Sequence, residues 1–266
     1  MGASVIVITA SAAMIVTMAA AWVVARVTDN GGWIDVFWSF GTGALGAALA
    51  LAPVSGTPGL SYRQVALAVL VAIWGLRLGG YIVSRVVEGH EDARYAALRQ
   101  SWGARYATRL LGFALAQAVA AILLALAIRL AARNTEPGIR VLDIVGLTVL
   151  AVAIVGEGVA DRQLARFKAD PANRGRVCDV GLWGWSRHPN YFFEWLGWIA
   201  YPLLAIEPNG DGLGWLAWLG PVFMFLLLRY LSGVPPLERH MMRSRPEAYG
   251  AYRNRTSAFV PLPPRR

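Results

Sequence analysis

Runs of apolar residues recur along this chain, each closed by a short polar stretch, and each has the length of about 20 residues that a bilayer-spanning helix needs. They predict spans over 4–25, 34–53, 64–84, 108–130, 141–160, 190–206 and 214–230. The pattern therefore predicts an all-α, polytopic membrane protein: one transmembrane domain, residues 1–266, with seven transmembrane helices. A β-barrel would need alternating segments of about ten residues, which the chain lacks. The first run has no basic stretch ahead of it and is too long for a signal peptide, so it reads as a retained helix.

Charge then orients the helices. Apart from Arg63, Arg77, Arg129, Arg133 and Arg140, all 25 basic residues fall in 26–33, 85–109, 161–189 and the tail 229–266. The positive-inside rule puts those segments in the cytoplasm, with the N-terminus outside. A net charge of +9 and a pI near 10.3 would suit nucleic acid. The basic residues lie at helix ends with no nucleic-acid motif between them, so anionic lipid headgroups or a phosphorylated cofactor are the expected partners. Cys178 is the only cysteine, which rules out an intrachain disulfide, and His90, His188 and His240 are too scattered for zinc. No metal is expected, and the chain is expected to act as a monomer.

Candidate chemistry gathers at the basic side. The segment 85–109 holds Glu88, His90, Glu91, Asp92, Arg94, Tyr95, Arg99 and Tyr106. It and the tail are either plain solvated loops or parts of a site. On the helix ahead of 169, Glu157, Asp161, Leu164 and Lys168 share one face, with Arg162 and Arg166 beside them. Two carboxylates in the last turns of an apolar helix are costly to bury unless they bind something; the alternative pairs them with Arg162 and Arg166 in the interface. In Gly181-Leu182-Trp183-Gly184-Trp185-Ser186-Arg187-His188-Pro189-Asn190-Tyr191-Phe192-Phe193-Glu194, Pro189 suits the first turn of a helix. Asn190 and Glu194 then lie one turn apart, His188 sits at the helix mouth, and Arg187 adds charge for an anion there. The simpler reading is a capped helix with an aromatic belt of Trp183, Trp185, Tyr191 and Trp195. Gly41-Thr42-Gly43-Ala44-Leu45-Gly46 matches a dinucleotide fingerprint, but no strand precedes it and it lies inside a span, which predicts helix packing instead.

The motif Gly-Leu-Trp-x-x-x-Arg-His-Pro-Asn-Tyr-x-x-Glu, the Asp161 helix before it, and the tail Arg229…Glu238-Arg239-His240…Tyr249…Tyr252…Thr256…Phe259-Val260-Pro261 resemble the steroid 5α-reductase family in its bacterial branch. The resemblance is specific over 141–266 and looser over 26–107, through Trp33-Ile34-Asp35-Val36-Phe37-Trp38 and Glu91-Asp92-x-Arg94-Tyr95. It implies seven transmembrane helices in a bacterial inner membrane. It also implies NADPH-dependent reduction of the Δ4 double bond of 3-oxo steroids or similar apolar enones, with hydride to the β carbon and a proton to the α carbon. Position by position, Glu157, Asp161, Lys168, Asn190, Glu194, Arg229 and the region around His240 match places where that family holds its nicotinamide cofactor. Arg77 with Tyr81 resembles an Arg-x-x-x-Tyr pair on the family's third helix. The cofactor set implied on these motifs further takes in Arg166, Arg187, His188, Tyr191, Glu238, Arg239, Tyr249 and Tyr252. Asp35 falls where the family places a carboxyl group near the steroid ketone. The mammalian enzymes differ in having Asn at the Glu157 position and Tyr at Trp74.

Enolate charge on the ketone oxygen needs a donor in a dry cavity, so Asp35, as the protonated acid, and Tyr95 are the catalytic candidates. Trp33, Phe37, Trp38 and Trp74 are expected to line the apolar cavity, which a substrate enters from the bilayer. Arg94, Arg99 and Arg187 are expected at the cofactor phosphates. Two rivals remain. One is a membrane methyltransferase of the isoprenylcysteine carboxyl type using S-adenosylmethionine, and the other is a non-catalytic lipid-binding protein.

Overall fold

A computed structural model describes residues 2–89, 91–207 and 210–265, which leaves His90 of the histidines considered above outside the described residues. The chain folds into helices α1 (Ala3–Val27), α2 (Gly32–Ala50), α3 (Tyr62–Val87), α4 (Ala93–Trp102), α5 (Tyr106–Ala132), α6 (Val141–Ala169), α7 (Pro189–Ala205), α8 (Leu219–Leu226), α9 (Val234–Ser244) and α10 (Pro246–Arg255). Among the described residues there is no strand; one isolated parallel bridge joins Ser186 and Ser257.

Among the described residues, five helical stretches are long and apolar enough to cross a membrane: Ala3–Val27, Tyr62–Val87, Arg94–Ala132, Val141–Ala169 and Leu213–Ser244. The other two predicted segments also carry helices, α2 with 19 residues and α7 with 17 and an internal Pro202. On α1 only Met14, Met18, Ala21 and Ala25 are buried, while Val5, Ile8, Val16, Val23 and Val27 stand exposed. An apolar surface of that extent belongs in lipid. This is a membrane protein.

The chain divides into two compact units, residues 1–147 with 201–220, and residues 148–200 with 221–266. In the first, α2 packs against α1, α3 and α5. The glycines of its pseudo-fingerprint explain how. A Cβ on Gly43 would lie 2.9 Å from the Cα of Gly75 on α3, one on Gly41 2.9 Å from Met14 Sδ on α1, and one on Gly46 2.7 Å from Ile128 Cδ1 on α5. Each glycine lets a different neighbour approach, so the motif serves packing, as small residues do between membrane helices. Gly75→Leu is expected to prevent folding of this unit, since backbone faces backbone at the crossing and nothing flexible can give way. The check is the monodisperse yield in detergent compared with Gly80→Leu, because Gly80 has open space around its Cα.

The arginines of the expected outer side are tied into this unit. Arg63 and Asp143 are buried, with Nε and Nη2 of Arg63 at 3.0 and 2.7 Å from the carboxylate. Arg140 and Tyr62 also donate to Asp143, both at 2.7 Å. The guanidinium of Arg129 donates to the carbonyls of Ala52 and Pro53, and the Gln64 amide to those of Ala50 and Ala52, so the open end of α2 is capped. Arg133 pairs with Asp211 at 3.2 Å. At the opposite end α4 is latched to the α1–α2 turn. Arg99 pairs with Asp29 and, at 3.1 Å, with Glu91, which in turn accepts from Gly31 N at 3.0 Å.

In the second unit the tail folds back on the loop ahead of α7. Arg187 N donates to Ser257 O (2.8 Å), Leu262 N to Trp185 O (3.0 Å) and Ser186 Oγ to Phe259 O (2.8 Å). Phe259 meets the rings of Phe192, Trp195 and Phe225 with centroids 5.4–6.2 Å apart. Helix α8 runs into a π turn, Leu227–Leu231, that carries Arg229; such turns are frequent at functional sites.

Candidate functional site

In the first unit the structure brings Asp35 together with Arg94 and Tyr95. Helix α4 begins at an Asp92 cap whose side chain accepts from Arg94 N, and its first turn carries both residues to the start of α2. Oδ2 of Asp35 accepts from Arg94 Nη2 at 2.7 Å and Oδ1 from the Tyr95 hydroxyl at 2.8 Å. Arg94 also holds Asp92. Tyr95 is 1% exposed, and its ring meets Phe113 edge-on. Of the aromatic residues expected to line the substrate cavity, Trp33 packs edge-on against Phe37 and Trp38 against Trp74, at 6.5 and 6.3 Å. Arg77 is half-buried one turn beyond Trp74. Arg94 and Arg99, expected at phosphates, are engaged with carboxylates in this arrangement.

In the second unit Glu157 and Asp161 are buried, 4% and 3% exposed, whereas Arg162 and Arg166 beside them are exposed, as is Lys168. Asn190, in the first turn of α7, donates to Asp161 at 3.3 Å, and one turn on, the buried Glu194 accepts from Trp198 Nε1 at 3.0 Å. Pro189 opens α7 as its fixed φ predicts.

Arg187 is only 8% exposed and turns to protein acceptors. Its Nε and Nη2 lie 2.8 and 2.7 Å from Glu238 Oε1, and Nη1 donates to the carbonyls of Thr256 (2.5 Å) and Arg253 (3.1 Å). In this arrangement it clamps the tail to the loop instead of standing ready for a phosphate. His188 Nε2 lies 3.3 Å from the same Glu238 oxygen, and its ring stacks on Tyr191. Burial pushes the His188 imidazole below its usual range, with the cations Arg187 and Arg229 acting in the same direction against Glu238. Tyr249 and Tyr252 are buried, and Tyr252 donates to Trp183 O at 2.5 Å. Burial pushes both phenols up, so they stay neutral. Arg239 and His240 are exposed on α9, next to the half-buried Glu238.

Four residues to which the sequence assigned no part in the site support it. Ser186, wholly buried, accepts from His188 N at 3.1 Å. Trp183 Nε1 donates to Ala160 O, and Gln163 accepts from Leu182 N. Gly181 has φ +58°, and a Cβ there would lie 2.5 Å from the Gln163 side chain. A glycine opening a Trp-rich turn was the available signal for that close approach.

The family described as "Protein of unknown function (DUF1295)" matches residues 21–256, nearly the whole chain, and includes steroid 5α-reductase-like proteins. Among curated proteins, the uncharacterized protein C594.04c of Schizosaccharomyces pombe is 33% identical over 99 residues, 36% of this chain. The match covers 27% of that relative's length. No solved structure matches.

Proposed function

The chain belongs to the DUF1295 family, and on that footing we propose that it is an integral-membrane reductase that uses NADPH to saturate the Δ4 double bond of 3-oxo steroids or similar flat apolar enones. The observation that carries the reading is the burial of Glu157 and Asp161 on one face of α6 with Asn190 bonded to Asp161 from α7. These are positions where the family it resembles holds a nicotinamide cofactor. Buried acceptors on this scale suit a ligand rich in hydrogen-bond donors, such as a carboxamide and ribose hydroxyls, and the exposed Arg162, Arg166 and Lys168 at the end of α6 suit its phosphates. When bound, NADPH supplies the hydride.

The chain's own part at the enone falls to Asp35, Arg94 and Tyr95. Hydride addition to the β carbon builds negative charge on the ketone oxygen, and a donor placed there lowers the barrier. The Tyr95 O–H, now on Asp35, turns to that oxygen, while Arg94 keeps its hold on the carboxylate. Trp33, Phe37, Trp38 and Trp74 supply apolar surface for the hydrocarbon and exclude water.

A second reading has one observation in its favour, since buried carboxylates also suit the ammonium and ribose diol of S-adenosylmethionine. Equilibrium binding of NADPH and of S-adenosylmethionine to the detergent-purified protein separates the two; saturable binding of the latter alone would move the assignment to a methyltransferase.

The proposal includes seven spans in a bacterial inner membrane, with the basic loops 85–109, 161–189 and 229–266 on the cytoplasmic side, where NADPH is. An epitope tag at the C-terminus is then expected to survive protease added to intact cells or spheroplasts and to be cleaved after lysis. Cleavage before lysis inverts the topology.

A further inference from the structure

His188 is 1% exposed, and its Nδ1 atom is buried with no hydrogen-bond partner among the described residues. Its other nitrogen explains why that atom is informative. Nε2 lies 3.3 Å from Glu238 Oε1, and Arg187 holds the same oxygen through Nε and Nη2. A carboxylate gripped by a guanidinium only accepts, so Nε2 carries the hydrogen and the neutral ring presents Nδ1 as a bare lone pair.

The ring is also held in place. It stacks on Tyr191 with centroids 5.5 Å apart and planes within 4°. Its backbone N–H is fixed on Ser186 Oγ, which is tied to Phe259 O. A buried acceptor left unsatisfied is costly, and an exception of this kind in a fixed ring calls for a partner that arrives from outside the protein.

The surroundings say what kind of partner. Two residues on, Asn190 bonds Asp161, and Glu157 and Glu194 are buried in the same unit. Arg187, the one cation of the motif, is spent on Glu238 and on backbone carbonyls. Glu238 faces Nε2 and the charges of Arg187 and Arg229 also act on the ring, but whatever the charge around it, a bare lone pair can only accept, so the partner it takes is a hydrogen-bond donor.

We propose that Nδ1 of His188 accepts a hydrogen bond from a neutral donor of the bound cofactor, a carboxamide N–H or a ribose O–H, and that Glu238 is the positioning residue that fixes the tautomer. The inference rests on the NADPH reading above. It replaces the expectation that the mouth of α7 receives an anion.

The test is nitrogen NMR of the detergent-solubilised protein labelled at histidine with 15N, using NADP+ as the probe. His188→Asn assigns the signal. The free protein is expected to show His188 Nδ1 as an unprotonated, pyridine-type nitrogen, and saturation with NADP+ shifts it toward the hydrogen-bonded range. His188→Leu is expected to weaken NADP+ binding roughly tenfold, the equivalent of one hydrogen bond, while His188→Asn, whose amide oxygen can take the place of Nδ1, keeps most of it. Glu238→Leu is expected to let the second tautomer appear in the free protein.

A protonated Nδ1 in the free protein, a signal unmoved at saturation, or full affinity in folded His188→Leu would overturn the role of His188 and leave the cofactor reading standing. Absence of NADP+ binding to the wild type, with S-adenosylmethionine bound instead, overturns both. If the leucine variant does not fold, the wild-type titration and the asparagine variant decide.

Discussion

Asp161→Ala is expected to weaken NADPH binding by roughly ten- to a hundredfold while the protein still elutes as one folded species. Asp161 is 3% exposed and accepts a hydrogen bond from Asn190, whose amide it orients at the start of α7. A hydrogen bond to a charged group contributes about 1.5–3 kcal/mol, and about 1.4 kcal/mol is a factor of ten in affinity. Alanine removes the carboxylate itself and releases the Asn190 side chain. The fold should tolerate the change, because it takes an acid out of the interior. The measurement is NADPH titration by fluorescence or calorimetry, with size-exclusion elution as the control for folding. Unchanged affinity would remove Asp161 from the site, and Arg166→Ala, on an exposed side chain of the same helix, provides the scale for a peripheral contact.

Asp35→Asn is expected to cut turnover by about a hundred- to a thousandfold, the scale of losing a well-placed donor at a developing oxyanion, because it upsets the carboxylate that positions the Tyr95 hydroxyl, with NADPH affinity nearly unchanged. The near-isosteric amide keeps one acceptor for the Tyr95 hydroxyl but turns an N–H2 toward Arg94, so one of the two bonds at 2.7 and 2.8 Å is replaced by opposed donors. Tyr95→Phe should show a loss of the same order, and the double variant little more, because the two groups act as one unit. Equal losses in turnover and cofactor affinity would make Asp35 a structural residue of the α2–α4 contact.

The helices were legible in the sequence because a bilayer-length apolar run is written in consecutive residues. Each of the seven predicted segments carries a helix, yet α2 and α7 fall outside the five stretches that meet the length and composition of a span. Asp35 and the polar residues of α2 dilute its hydropathy, and α7 has only 17 residues. The Gly41 to Gly46 pattern was legible as packing because it lies inside an apolar run, and each of its glycines meets a neighbouring helix. Short helices such as α4 and α9 did not stand out, because their polar composition matches that of a solvated loop and what fixes them is distant: Asp29 for Arg99, Arg187 for Glu238.

The same distance explains the arginines. Sequence shows that Arg187 is charged and close to a helix start, which suits a phosphate. It does not show that Glu238 and two tail carbonyls reach it first. Asp35, Arg94 and Tyr95 were each named from the sequence, but their convergence depends on the turn of α4 set by the Asp92 cap. The lone nitrogen of His188 had no sequence signal at all, since it follows from which ring atom Glu238 takes.

The most direct measurement is NADPH consumption by the detergent-purified protein on addition of progesterone or testosterone, with the steroid product analysed by mass spectrometry. The account predicts loss of reduced-nicotinamide absorbance in step with a product that has gained one hydride and one proton, and no consumption in Asp35→Asn beyond the small residual rate. NADPH bound but never oxidised by any flat 3-oxo-Δ4 enone, or methyl transfer from S-adenosylmethionine in its place, would contradict it.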